Sequence, residues 1–240
     1  MIANRLGAFL TRGLPLRLNT GRDREHYISS RLQELVELYE LCPRRVHANG
    51  ATGERAIVQE IAFPRKRQLL AEILEARLPR EEFVRELAVL GFDGEAYSMS
   101  QYREALESHL KTPIVEYSMQ DRGDERETVG MVTYDAELNR IQIGLPLRLS
   151  WWLRQYTLAH ELGHVAANHL FPIYGQDGHI TEYRRPPRGI ARYTGWSSRL
   201  PEEALRDLQE EEAEQRARHA LLTGELGGQT LHLGRIKQLS

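Results

Sequence analysis

Apolar residues at helical spacing open the readable part of the chain. Ile28, Leu32, Leu35, Val36 and Tyr39 recur every three or four positions between Arg24 and Leu41, and Pro43 ends the run. After a loop from His47 to Gly53, residues Glu54 to Phe63 and Arg65 to Leu78 predict two more helices split by Pro64. Pro79 opens another, closed by Gly91 where left-handed backbone is cheap, and Ser100 to Leu110 predicts a shorter one. Residues 1–110 therefore predict a helical region without a glycine-rich phosphate loop or a cluster of metal-ligand types.

The pattern changes after Pro113. Ile114 to Met119, Val129 to Tyr134 and Arg140 to Gly144 have the length and the branched and aromatic content of strands, with Asp135 to Asn139 as a hairpin loop. Ser150 is suited to cap a helix from Trp151 to about Leu170, stopped by Pro172. Tyr174 to Leu200, rich in Gly, Pro and Arg, predicts a long irregular loop before a last helix from Pro201 to about Thr223. The expected class is α+β: a small, mostly antiparallel sheet packed on the 151–170 helix and a C-terminal helix, preceded by the helical N-terminal region. The expected division is 1–110 and 111–240, with the chemistry in the second part. Gly13-Leu-Pro-Leu-Arg-Leu18 recurs as Gly144-Leu-Pro-Leu-Arg-Leu149, a local device that feeds a helix and not a duplicated domain.

Composition sets outer bounds. With 41% hydrophobic and 28% charged residues among 240, the chain can bury a core, which excludes a disordered polyelectrolyte, a fibre and a membrane span. Cys42 is the single cysteine, so neither an internal disulfide nor a thiolate zinc cluster can form, and a reducing, cytoplasmic setting is expected. No sustained apolar stretch precedes Arg12, so no secretory signal is expected. The net charge of −2 conceals opposing blocks. Residues 1–22 and 183–201 are basic, whereas Glu202, Glu203, Asp207, Glu210, Glu211, Glu212 and Glu214 face Arg206 alone.

The candidate chemistry lies in His160-Glu161-Leu162-Gly163-His164. Residues i and i+4 stand about 40° apart on a helix, so both imidazoles can meet one zinc ion while Glu161 reaches a water bound to it. Flanked by Tyr156, Leu158, Leu162 and Val165, these polar groups are costly to bury unless paired or metal-bound. Gly163, about 1 kcal/mol worse than alanine mid-helix, predicts a close backbone approach. A third histidine six residues on is missing, because Ala167 and Leu170 occupy the positions of the extended motif. His169, about 180° around a continuous helix from His160, is expected to be exposed or capping rather than a ligand. Glu210 and Glu214 are the better third ligands: they share a stripe with Ala213, Ala217 and Leu221, while Glu211 and Glu212 project elsewhere. Against this stands the alternative of an acidic, solvated face. Tyr174, Tyr183, Tyr193 and His179, in the long loop, are candidates for an oxyanion partner.

Tyr156-Thr-Leu-Ala-His-Glu-Leu-Gly-His164, preceded by Ile141-Gln-Ile-Gly and followed by Glu210-Glu-Glu-Ala-Glu-Gln-Arg-Ala217, resembles the ImmA/IrrE family of zinc metallopeptidases. The resemblance spans residues 113 to 222. It implies a minimal thermolysin-like (gluzincin-like) core with one zinc per chain, held by His160, His164 and Glu210, with Glu214 as fallback, and Glu161 as catalytic carboxylate. Glu214 stands where the family has Asn or Asp, and Arg216 where it has Phe. The resemblance also implies a narrow-specificity regulatory protease whose substrate is a protein such as a helix-turn-helix repressor. The competing expectation is a zinc-containing regulatory protein that binds a partner protein or DNA without proteolysis, motivated by the five arginines from Arg184 to Arg199.

Overall fold

The computed structural model describes residues 21–41, 53–92, 97–119, 130–169, 171–174, 180–184 and 200–223, with backbone alone at 21, 41, 53–63, 171–174 and 180–184. Two units divide the chain: Met1–Pro79 with Gly195–Glu211, and Arg80–Thr194 with Glu212–Ser240. The division expected at residue 110 is thus a position inside the second unit.

The first unit is built on α1 (Gly21–Leu41) and α2 (Gly53–Arg77). Leu35, Leu38 and Tyr39 meet Leu69, Leu70, Ile73 and Leu74, and Ala204 and Leu208 close the same core. Two helices were expected where α2 is one, because Pro64 lies inside it. A proline there removes one helical hydrogen bond, and at this exposed position water can satisfy the freed carbonyl. Glu34, nearly buried, accepts from Arg65 at 2.6 Å and from Arg31 at 2.5 Å, so its charge is compensated inside the helix pair.

The second unit begins with α3 (Arg80–Val89) and α4 (Met99–Leu110). Gly91 ends α3 as expected: at φ 88° its N–H bonds Ala88, and that of Phe92 bonds Leu87. Ser98 caps α4 in a reciprocal box with Gln101. Strands β1 (Ile114–Met119), β2 (Met131–Asp135) and β3 (Arg140–Pro146) form a sheet of order β1-β3-β2. β1 runs parallel to β3 and β2 antiparallel to it, so the sheet is mixed. The hairpin loop falls where predicted, with Asn139 left-handed at φ 46° and Asp135 Oδ1 accepting from Leu138 N at 3.0 Å. The class is α+β, as the pattern of elements predicted.

Helix α5 (Trp151–Ala166) starts at Ser150, whose hydroxyl accepts from Leu153 N. Leu158, Leu162 and Val165 are buried, each contributing about 1.5–3 kcal/mol, and the helix lies on β2 and β3. Two strands reach into the irregular loop expected from Tyr174 onward: β4 (Phe171–Tyr174) ends on its first residue and pairs antiparallel with β5 (Ile180–Arg184) inside it, and β4 runs beside β2. Pro172 is tolerated because this pair has two strands and hence only edges. The last helix, α6 (Glu202–Thr223), is continuous across the boundary between the units.

Candidate metal centre

α5 stops four residues short of its expected end, and this shapes the site. Ala167 is the C-cap, Asn168 turns left-handed at φ 55°, and the Asn168 and His169 amides bond back to Val165 and His164, each at 3.1 Å. This reversal occurs at an asparagine, the residue besides glycine that enters the left-handed region most readily. His169 is therefore not on the helix at all. The expectation of an exposed or capping histidine is corrected: it is 3% exposed, and its Nδ1 meets His164 Nδ1 at 2.8 Å.

His160 and His164 lie one turn apart, their Nε2 atoms 3.1 Å from each other and their rings inclined by 70°. A carboxylate oxygen of Glu210 joins them, all three ligand atoms lying within 4.8 Å of one another. Two imidazole nitrogens can face one another at this distance by hydrogen bonding or by sharing a cation. Tetrahedral zinc with bonds of about 2.0–2.1 Å sets ligand nitrogens roughly 3.3 Å apart, so the separation fits a shared ion. Two nitrogens and one carboxylate are a donor set suited to zinc with a coordination position left open. Among the described residues this group can hold a metal ion.

Glu161, 6% exposed, points away from the solvent side of α5 toward the chain entering β2. A Cβ on Gly130 would stand 2.5 Å from Glu161 Oε1 and 2.4 Å from Thr157 Cγ2, so only glycine leaves the carboxyl its place.

Gly163 bears out the expected close approach. A Cβ there would lie 2.8 Å from the Ala213 carbonyl oxygen and 3.1 Å from Ala213 Cα, so α5 and α6 touch backbone to backbone. Ala213 and Ala217 are fully buried along this contact.

The fallback ligand Glu214 has other partners. It accepts from the Tyr156 hydroxyl and from Arg218 at 2.7 Å, and faces His160 Nδ1 at 3.8 Å, an ion-pair rather than a hydrogen-bond separation. Burial pushes its carboxyl up, but His160, Tyr156 and Arg218 together outweigh that and hold it down at about 2. Burial first, then the Glu214 carboxylate, keeps the Tyr156 hydroxyl protonated above its ordinary range. Glu214 thus braces the far side of the His160 ring.

Glu212 also differs from the surface role its neighbours suggested. It is 3% exposed, faces His169 Nε2 at 3.4 Å and accepts from Arg216 at 3.3 Å. Arg216, in the place where the resembling family has Phe, is 2% exposed and bonds both oxygens of Glu86. Burial lowers the affinity of its guanidinium for the proton, and Glu86 and Glu212 more than restore it.

Of the oxyanion candidates, Tyr174 and Tyr183 fall on β4 and β5, while His179 and Tyr193 lie outside the described residues, as do most of the basic segments, Cys42 and the first Gly-Leu-Pro-Leu-Arg-Leu copy. No described helix is long and apolar enough to cross a membrane. Compared with protein-family models, curated proteins and solved structures, the chain gives no match.

Proposed function

We propose that the chain is a zinc-dependent metallopeptidase of narrow, regulatory specificity, akin to the ImmA/IrrE family it resembles. The observation that carries this reading is the convergence of His160, His164 and a Glu210 oxygen, beside a buried glutamate one residue from the first histidine. His160, His164 and Glu210 would hold the ion, and Glu214 and His169 stand behind the two imidazoles. Zinc in such a site lowers the pKa of its water to about 7 and polarises a carbonyl. Glu161 takes a proton from the attacking water and passes it to the leaving amine, a role worth about 10²–10⁴ in rate. The substrate is an extended protein segment bound beside the metal by strand addition to a sheet edge, its backbone amides supplying affinity. A helix-turn-helix repressor is the substrate class the resemblance favours, and the cytoplasm the compartment.

The test is Glu161→Gln. The variant retains one zinc per chain and loses the wild type's cleavage of a helix-turn-helix repressor, assayed by electrophoresis. A wild-type chain purified without chelator that holds no zinc, or an E161Q chain that still cleaves, overturns the proposal.

A further inference from the structure

A buried string of polar groups runs away from the candidate metal centre: His164 Nδ1 to His169 Nδ1 at 2.8 Å, His169 Nε2 to Glu212 at 3.4 Å, Glu212 to Arg216 at 3.3 Å, and Arg216 to Glu86. His169, Glu212 and Arg216 are each no more than 3% exposed. Burying four such side chains is costly unless each satisfies the next, and along this string each does.

The string has a direction. Glu212, flanked by the Arg216 guanidinium, is an acceptor, so the His169 proton facing it belongs on Nε2. In the neutral imidazole of His169, Nδ1 then carries a lone pair and accepts, which places the proton of His164 on its own Nδ1. His164 Nε2 is left with a lone pair aimed at His160 Nε2, 3.1 Å away. One carboxylate thus sets the tautomers of two imidazoles in series. The reverse direction would need Glu212 to donate beside an arginine.

We propose that His169 is a positioning residue: oriented by Glu212, which Arg216 anchors on Glu86, it fixes the ring and tautomer of His164 so that Nε2 presents its lone pair to the metal. This rests on the metallopeptidase reading above, and deepens it by assigning a residue that its motif leaves out. The left-handed turn at Asn168 is what returns the His169 ring to His164. Arg216 gains a purpose as well: it is the counter-charge that lets Glu212 be buried as an acceptor.

The test uses the full chain and zinc alone, with affinity measured by competition against a chromogenic chelator. H169F keeps a ring of similar size but has no acceptor, and its zinc dissociation constant rises about 10- to 100-fold. H169Q, whose carboxamide oxygen can accept from His164, recovers most of that loss, which a purely space-filling role would not produce. A second variant needs no metal and no large change of shape. In E212Q the amide can donate as well as accept, so at pH 8 His164 of the metal-free protein passes from a single Nδ1–H tautomer to a mixture in a long-range ¹H–¹⁵N correlation spectrum. Wild-type affinity in H169F, no recovery in H169Q, or an unaltered His164 tautomer in E212Q overturns the positioning role. A wild-type chain that binds no zinc removes the metallopeptidase reading and this role together, whereas tight wild-type binding matched by H169F removes only this role.

Discussion

Replacing Gly163 with alanine separates two effects that ordinarily favour the same outcome. In an exposed or roomy helix the substitution stabilises by about 1 kcal/mol, because alanine restricts the unfolded chain and glycine does not. Here the new methyl would sit 2.8 Å from Ala213 O, 3.1 Å from Ala213 Cα and 3.3 Å from Arg216 Cβ. Two of those atoms are backbone, so the neighbour cannot swing aside. Reaching ordinary carbon contact distances requires α6 to retreat by about half an ångström. Overpacking of this kind costs about 1–3 kcal/mol, which leaves a net loss of up to about 2 kcal/mol after the gain in helix propensity. The larger effect falls on the metal, because α6 carries Glu210 three residues before the contact. Metal–ligand distances tolerate about 0.2 Å, so the retreat weakens zinc binding at least about tenfold, and by more than the change in stability of the metal-free protein. Urea unfolding of the metal-free chain and chelator competition with zinc measure the two quantities separately. A G163A chain that is more stable by about 1 kcal/mol and binds zinc like the wild type would refute the claim that the helices meet at this residue.

Two further outcomes follow from other parts of the second unit. Gly130→Ala displaces the flexible end of Glu161 rather than backbone, so zinc remains bound while cleavage falls by about 10²-fold or more, read as turnover per bound zinc. Burial, partly offset by its bond to Thr223, raises the Tyr97 hydroxyl from 10.0 to about 12, and Ala220 O accepts from it at 3.1 Å. The neutral phenol is favoured in the folded state, so its stability contribution is intact below pH 10 and is lost as pH rises toward 12. Relative to Y97F, the wild type loses roughly 1.4 kcal/mol between pH 8 and pH 11 in urea unfolding, and parallel pH profiles for the two chains would contradict the assignment.

The elements that were legible in the sequence are those whose signals are local. The cap at Ser150, the Gly91 stop, the hairpin loop at Asp135–Asn139 and the paired histidines each depend on residues within a turn or two, and the structure has all four. Gly163 was also legible, because a glycine in an apolar helix implies a neighbour even before that neighbour is known. The failures are non-local or hinge on a single backbone torsion. The local cost of Pro64 predicts a break, and the tertiary packing of Leu69, Leu70, Ile73 and Leu74 holds α2 together across it. His169 lies elsewhere than its spacing predicts because α5 ends at Ala166, about one turn before Leu170. Asn168 followed by histidine was the available signal, and one left-handed residue there moved the imidazole from the wrong side of a helix to the back of His164. Gly130 could not be read as a seat for Glu161, since nothing within ten residues of it names its partner.

The acidic run of α6 shows why composition misleads where angle decides. Taken as Glu210-Glu-Glu-Ala-Glu214 it is a single block of charge, and a solvated face is its ordinary meaning. At about 100° per residue, with Ala213 set against Gly163, Glu210 and Glu214 fall about 60° and 100° to one side of the contact line. Glu212 and Arg216 fall about 100° and 60° to the other. α6 therefore straddles α5, and its charges descend on both flanks of the same helix. One flank brings Glu210 to His160 and His164, and Glu214 to the Nδ1 side of His160; the opposite flank brings Glu212 to His169, behind His164. Ala213 and Ala217 are small because the helices must touch for both flanks to reach, and Gly163 is glycine for the same reason. The acids at 212 and 214 meet donors on those flanks: Glu212 accepts from Arg216 and faces His169, and Glu214 accepts from Tyr156 and Arg218.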